Sequence, residues 1–134
     1  MNQLMSHNIY EFQDTLTICG SCLPNMDKDA FEKLTRISNN IFFVCLEEIH
    51  INMVAHKIAS ILRLGNVKKL IFASVDKSPH CVQLHFIRNE LEKIMNLENV
   101  SIANYVSKDG NLVEIAKETI SLSKNLTEIQ EVKI

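Results

Sequence analysis

The chain has 134 residues, enough for one domain that buries about two-thirds of its unfolded surface, and its 46% hydrophobic content with three glycines and two prolines excludes a disordered or turn-rich all-β protein. A formal net charge of -2 without a basic stripe argues against nucleic acid or an anionic membrane as partner. No apolar run reaches the ~18 residues that span a bilayer, and MNQLMSHNIYEFQ lacks the apolar core of a signal peptide, so the expected location is the cytoplasm.

Residues 1–13 carry little pattern and read as a loose arm or one ordered only by pairing. DTLTIC (14–19) alternates as a short strand, and CGSCLPN (19–25) is a loop of turn formers. Asp27 or Asn25 caps a helix whose Ala30, Phe31, Leu34 and Ile37 recur at helical spacing. IFFVCLEEI (41–49) opens as a strand buried on both faces. His50 and Asn52 lead into a second helix, with Ile51, Val54, Ile58, Ile61 and Leu62 on one face and Gly65 at a left-handed stop. KKLIFASVD (68–76) is the next buried strand, closed by a turn at Asp76, Lys77 and Ser78. Ser78 followed by Pro79 starts a third helix running to about Met95, with Cys81 in its first turn. NVSIANYV (99–106) is a fourth strand. Asp109 precedes a last helix carrying Leu112, Ile115, Ala116 and Thr119, and residues 128–134 read as a terminal strand or a tail.

Strands and helices alternate about every thirty residues, the rhythm of βαβ crossovers. The expected fold is a single α/β domain over residues 1–134, a three-layer Rossmann-like sandwich. Its mostly parallel sheet would have four or five strands, with helices on both faces. In such sheets functional groups gather beyond the carboxyl ends of the strands. That rule brings Cys19, Cys22, Cys45 and Cys81 to one edge, with Glu47, Glu48, His50 and His80 nearby.

Four thiols in a reducing compartment are not expected to form a static disulfide framework, which leaves packing, metal ligation and redox chemistry. Cys19 and Cys22 form a CxxC pair able to hold one soft metal ion or two irons of a cluster, on a loop expected to leave both thiols free to fold onto a centre. Cys81 at a helix N-terminus favours a thiolate, and His85, four residues on, shares its face. A thioredoxin-like dithiol fits less well, because Pro24 and Asn25 interrupt the helix that should follow the CxxC. No GxGxxG or Walker loop supports a nucleotide site, and no nucleophile–base pair stands near Ser78.

The order of these cysteines resembles the iron–sulfur delta subunit of methyl-viologen-reducing hydrogenase, a domain also associated with heterodisulfide reductases. Cys19-Gly20-Ser21-Cys22 matches that family's CxxC, Cys45 in FFVC its cysteine after an apolar strand, and Cys81 the last cysteine of its third block, which Ser74–Val82 occupies. Val75 and Val82 stand where the family has a cysteine and a histidine. The resemblance covers about residues 14–100 and implies an electron-relay domain whose partner is a redox protein such as a hydrogenase or flavoprotein subunit.

The expected function is therefore an iron–sulfur cluster-binding electron-transfer or redox-sensing domain. Cys19, Cys22, Cys45 and Cys81 would be its ligands, with His80, His85 or His50 as supporting or substitute ligands. The alternative is a zinc-binding or metal-free regulatory or protein-interaction domain. A homodimer is compatible with either.

Overall fold

A computed structural model describes residues 2–8 and 13–133. The strands are β1 (Gln13–Gly20), β2 (Ile41–Val44), β3 (Asn66–Val75), β4 (Ser101–Lys108) and β5 (Asn111–Glu114). The helices are α1 (Leu23–Met26), α2 (Lys28–Ile37), α3 (Ile51–Leu64), α4 (Gln83–Ile94), α5 (Lys117–Leu122) and α6 (Leu126–Lys133). They build one five-stranded sheet of order β2-β1-β3-β4-β5. All its pairings are parallel except the last, the β4–β5 hairpin. The expected α/β class, mostly parallel sheet and two-sided helix cover are present.

Alternation along the strands divides the core. Leu16, Ile18, Leu70 and Phe72 face α3 and α4, while Cys19, Ile71, Ala73 and Val75 face α1 and α2. The chain moves outward from β1 to β2 under helices on one face. It then returns past β1 to β3 and β4 under helices on the other, which keeps one hand of crossover throughout. The strand order therefore reverses between β1 and β3, and the carboxyl ends of those two strands flank the crevice where α/β sheets place their ligands.

Asp27 ties distant parts together. One carboxylate oxygen accepts from the Ala30 N–H at 3.1 Å and caps α2; the other accepts from the Gly110 N–H at 3.0 Å. The expected arm is partly ordered by pairing, since Leu4 is buried and its N–H bonds the Phe43 carbonyl at 2.9 Å. Met1 and residues 9–12 of that arm, like Ile134 at the other end, lie outside the described residues.

Several local expectations are corrected. The strand expected over 41–49 ends at Val44, because Cys45 begins a tight turn in which its carbonyl accepts from both Glu48 and Ile49. The loop after Cys22 contains the short helix α1, whose first two positions tolerate Pro24. Gly65 is extended rather than left-handed (φ -95°). The third helix becomes regular only at Gln83, after an irregular turn over 79–82. The last helix is delayed too: Asp109 (φ 51°) and Gly110 (φ 83°) form a left-handed hairpin turn, so Leu112 belongs to antiparallel β5 and helix resumes at Lys117. Residues 128–133 of the segment expected as a terminal strand or tail belong to α6.

Two stability measurements check this packing. Asp27→Ala should lower the unfolding free energy by about 2 kcal/mol in urea titrations, since it removes a cap and a long-range hydrogen bond together, and Asp27→Asn should lose less. The Thr17 hydroxyl is buried and has no hydrogen-bond partner among the described residues, so Thr17→Val should stabilise by about 1 kcal/mol. A destabilised Thr17→Val would mean that the hydroxyl has a partner after all.

Candidate functional site

Three neighbouring strands, β2, β1 and β3, each deliver a cysteine just beyond the carboxyl end: Cys45, Cys22 and Cys81. The Cys81 sulfur lies against Gly20, where an added Cβ would come within 3.3 Å of it. Glycine at the end of β1 thus leaves room for a thiol from the turn after β3. Cys81 is buried there, Cys45 is half-buried and Cys22 is exposed. Ser78 positions the turn, because its hydroxyl accepts the Cys81 N–H at 3.2 Å and its carbonyl accepts the Val82 N–H. Ser78 thus caps the irregular turn that holds Cys81 and not α4 itself as expected, since the N-cap of α4 is Val82 and has no side-chain cap.

Desolvation and the neighbouring Cys81 and Cys45 thiols, followed by Glu47, raise the Cys22 pKa. Burial and the close thiols both disfavour the Cys22 thiolate. Across the mouth, the His80 ring and the Glu47 carboxylate approach to 4.0 Å, both exposed.

Cys19 is placed differently. It lies inside β1, fully buried in the layer facing α1 and α2, and its thiol donates to the Gly20 carbonyl at 3.4 Å. Burial, with Cys81 adding to it, pushes its pKa up to about 12. The CxxC pair is thus split by the strand's own alternation rather than carried on a free loop. Among the described residues no three His, Cys, Asp or Glu side chains stand together as a site for one metal ion.

The histidines considered as substitute ligands have other work. His50 caps α3, its Nδ1 accepting the Asn52 N–H at 3.1 Å. His85 is buried, not solvated, and both its ring nitrogens are engaged: Nε2 with Ser74 Oγ at 2.7 Å and Nδ1 with Asn104 Nδ2 at 2.9 Å. Arg88 donates to Asn104 Oδ1 at 3.0 Å and to Glu92 at 3.2 Å, and Lys117 also bonds Glu92. This polar chain from α5 through α4 and β4 to β3 is absent from the sequence reading, which found no serine–histidine pair. The only hint was the three-residue step between His85 and Arg88, one face of a helix.

Its donors and acceptors fix the tautomer. With Arg88 donating to Asn104 Oδ1, the Asn104 amide nitrogen must face His85, so Nδ1 accepts and Nε2 carries the proton. His85 therefore donates to Ser74 and cannot take its proton, which is the opposite of a serine–histidine nucleophile pair.

The family model of a Rossmann-like domain matches residues 12–133. No curated protein matches the chain, and no solved structure does. No helix among the described residues is long and apolar enough to cross a membrane.

Burial holds the His85 pKa down to about 4, against 6.5 for the free side chain. The unfolded chain takes up this proton first, so the contribution is present above about pH 6.5 and is lost as the pH falls towards 4. Urea titrations should show about 3 kcal/mol of stability disappearing across that window in excess of the loss in His85→Gln. Equal pH dependence in the two proteins would contradict a buried, neutral His85.

Proposed function

We propose that this chain, which belongs to the Rossmann-like domain family, is an iron–sulfur cluster-binding domain for electron transfer or redox sensing, held through Cys22, Cys45 and Cys81. The observation that carries the reading is the delivery of three thiols, one from each of three adjacent strands, to the carboxyl edge beside the β1–β3 crevice. Thiolates are the donors such clusters take. Cys19 would have to leave its own layer to join them, so it stands outside the proposed ligand set.

Zinc takes the same soft thiolate donors and is the second reading of this edge. The order of cysteines, similar to that of the hydrogenase delta subunit, adds support to the cluster and points to a hydrogenase or flavoprotein subunit as the redox partner. Burial and nearby hydrogen bonds would set the potential of the centre.

Protein purified anaerobically should be brown, with iron and sulfide in stoichiometric amounts. Cys22→Ser, Cys45→Ser and Cys81→Ser should each lower cluster loading, while Cys19→Ser should retain it. Colourless protein carrying zinc would replace the reading with a structural metal site, and metal-free anaerobic protein would sink both. Full loading in Cys81→Ser would refute the ligand set.

A further inference from the structure

Helices α3 and α4 pack side by side on one face of the sheet and leave a trough between their outer surfaces. Depressions of about 340 and 460 Å³ share His56, Ala59 and Ile94, so they are parts of one feature. Its α3 wall is low, because Ala55, Ala59 and Ser60 are small and let another backbone come close. The α4 wall is the row Phe86, Glu90 and Ile94, spaced four apart along one helical face. Ile94 is 66% exposed and Leu64, at the end of α3, is 63% exposed, so the trough presents apolar surface to water. None of its residues belongs to the cysteine edge.

The same chain carries a helix with little to rest on. In α6, Leu126, Ile129 and Val132 recur at three-residue steps and form one apolar stripe. Leu126 and Val132 are each 78% exposed, and Ile129 is only half-buried. Glu128 and Glu131 run along one side of that stripe. Neither makes a salt bridge among the described residues, and neither does Arg63 in the trough. Glu90, the acidic group of the trough, is tied to Lys93 at 3.3 Å, so Arg63 sets the sign at its end of α3. Length matches as well as charge. The eight residues of α6 span about 12 Å, and the trough follows α3 from Asn52 to Arg63, about 16 Å.

The joint before α6 keeps it off the trough of its own molecule. Lys124 still reaches that trough, its ammonium 4.6 Å from the centre of the Phe86 ring. Beyond it the chain turns away: the Asn125 N–H donates to the Leu122 carbonyl at 2.8 Å, and the Asn125 side-chain amide donates to the Ser121 carbonyl at 3.1 Å. The Asn125 carbonyl then accepts the Ile129 N–H and starts α6. These bonds set the direction of the helix and leave its stripe in water. Folding back would break them, whereas docking on a second copy leaves them intact.

We propose that this chain forms a homodimer by reciprocal docking, with α6 of each copy lying in the α3–α4 trough of the other. Leu126, Ile129 and Val132 cover Ala55, Ala59 and Ile94, and the acidic side of α6 faces Arg63. A helix-to-trough contact is heterologous, so one alone would leave a free helix and a free trough; two related by a two-fold axis close the assembly.

Sedimentation equilibrium of the full chain tests this, under reducing conditions that keep thiol-linked dimers out. The wild-type chain should show a monomer–dimer equilibrium in the micromolar range. Val132→Asp on the helix and Ile94→Asp on the trough, both at exposed positions that leave the fold intact by circular dichroism, should each give monomer. Arg63→Glu should weaken the dimer severalfold, and adding Glu128→Lys with Glu131→Lys in the same chain should restore it. Monomer at every concentration would overturn the proposal. So would a dimer surviving in either aspartate variant, which would mean that the helix or the trough is not part of the contact, or a charge-reversed chain that stays as weak as Arg63→Glu.

Discussion

The last six residues of β3, Leu70 to Val75, are all buried, and the rest of the structure follows from the need to cover both sides of that strand. A strand with no solvated face must have a neighbour on each edge and a helical layer above and below. Here β1 and β4 supply the edges, α3 and α4 one cover, and α1 and α2 the other. Helical connections are what parallel neighbours require, so the crossovers that cover β3 also set the strand order. Reversal of that order beside β3 opens the crevice, and the crevice decides which loops can meet. The thiols of Cys22 and Cys81 come together through this topology although they lie on opposite sides of two crossovers.

The same strand imposes a second requirement. Ser74 is a polar residue in the most buried part of the sheet, and Asn104 is another on the adjoining strand, where register sets it beside Phe72. Neither can be left without partners in a low-dielectric layer. His85 bridges them from α4, and Arg88 completes Asn104 one helical turn further on. A neutral imidazole suits this place because it offers one donor and one acceptor without carrying charge into the core. The network joins α4 to both β3 and β4 with directional bonds, where apolar packing alone would leave the helix free to slide. It also explains why a serine–histidine pair beside the sheet edge is not hydrolytic machinery: the residue that orients the imidazole presents an amide donor where a nucleophile's base needs an acceptor.

What the sequence made legible was burial, and what it hid was direction. The continuous apolar runs of β2 and β3 and the spacing of Ala30 with Leu34, or Val54 with Ile58 and Ile61, are local patterns, and they produce the observed layers. The β4–β5 hairpin was missed although Asp109-Gly110 is a direct turn signal, because Leu112, Ile115, Ala116 and Thr119 also fit a helical period. A four-residue edge strand has too few apolar positions to outvote that period. The polar chain could not be read at all. Its partners are 11, 19 and 16 residues apart, and their meeting depends on the β3–β4 register and the rotation of α4. His85 alone in the sequence is indistinguishable from a solvated histidine or a ligand.

The cysteines show how a spacing rule changes meaning with its backbone. In a CxxC that begins on a turn or a helix, both side chains project to the same side and can share a centre. Here Cys19 is still within β1, where period-two alternation sends it into the layer of Leu23, Ala30 and Leu34. Gly20, one residue later, faces the opposite layer and has no side chain, so the space there is taken by Cys81. Only at Cys22 has the chain left the strand and become free of its alternation. The partner of Cys22 in space is therefore Cys81, not Cys19 with which it forms the motif. Any shared chemistry at this edge is set by which strands end side by side. Cys45 reaches the same edge because β2 pairs with β1 and ends level with it, the Gly20–Val44 pair being the last of that ladder.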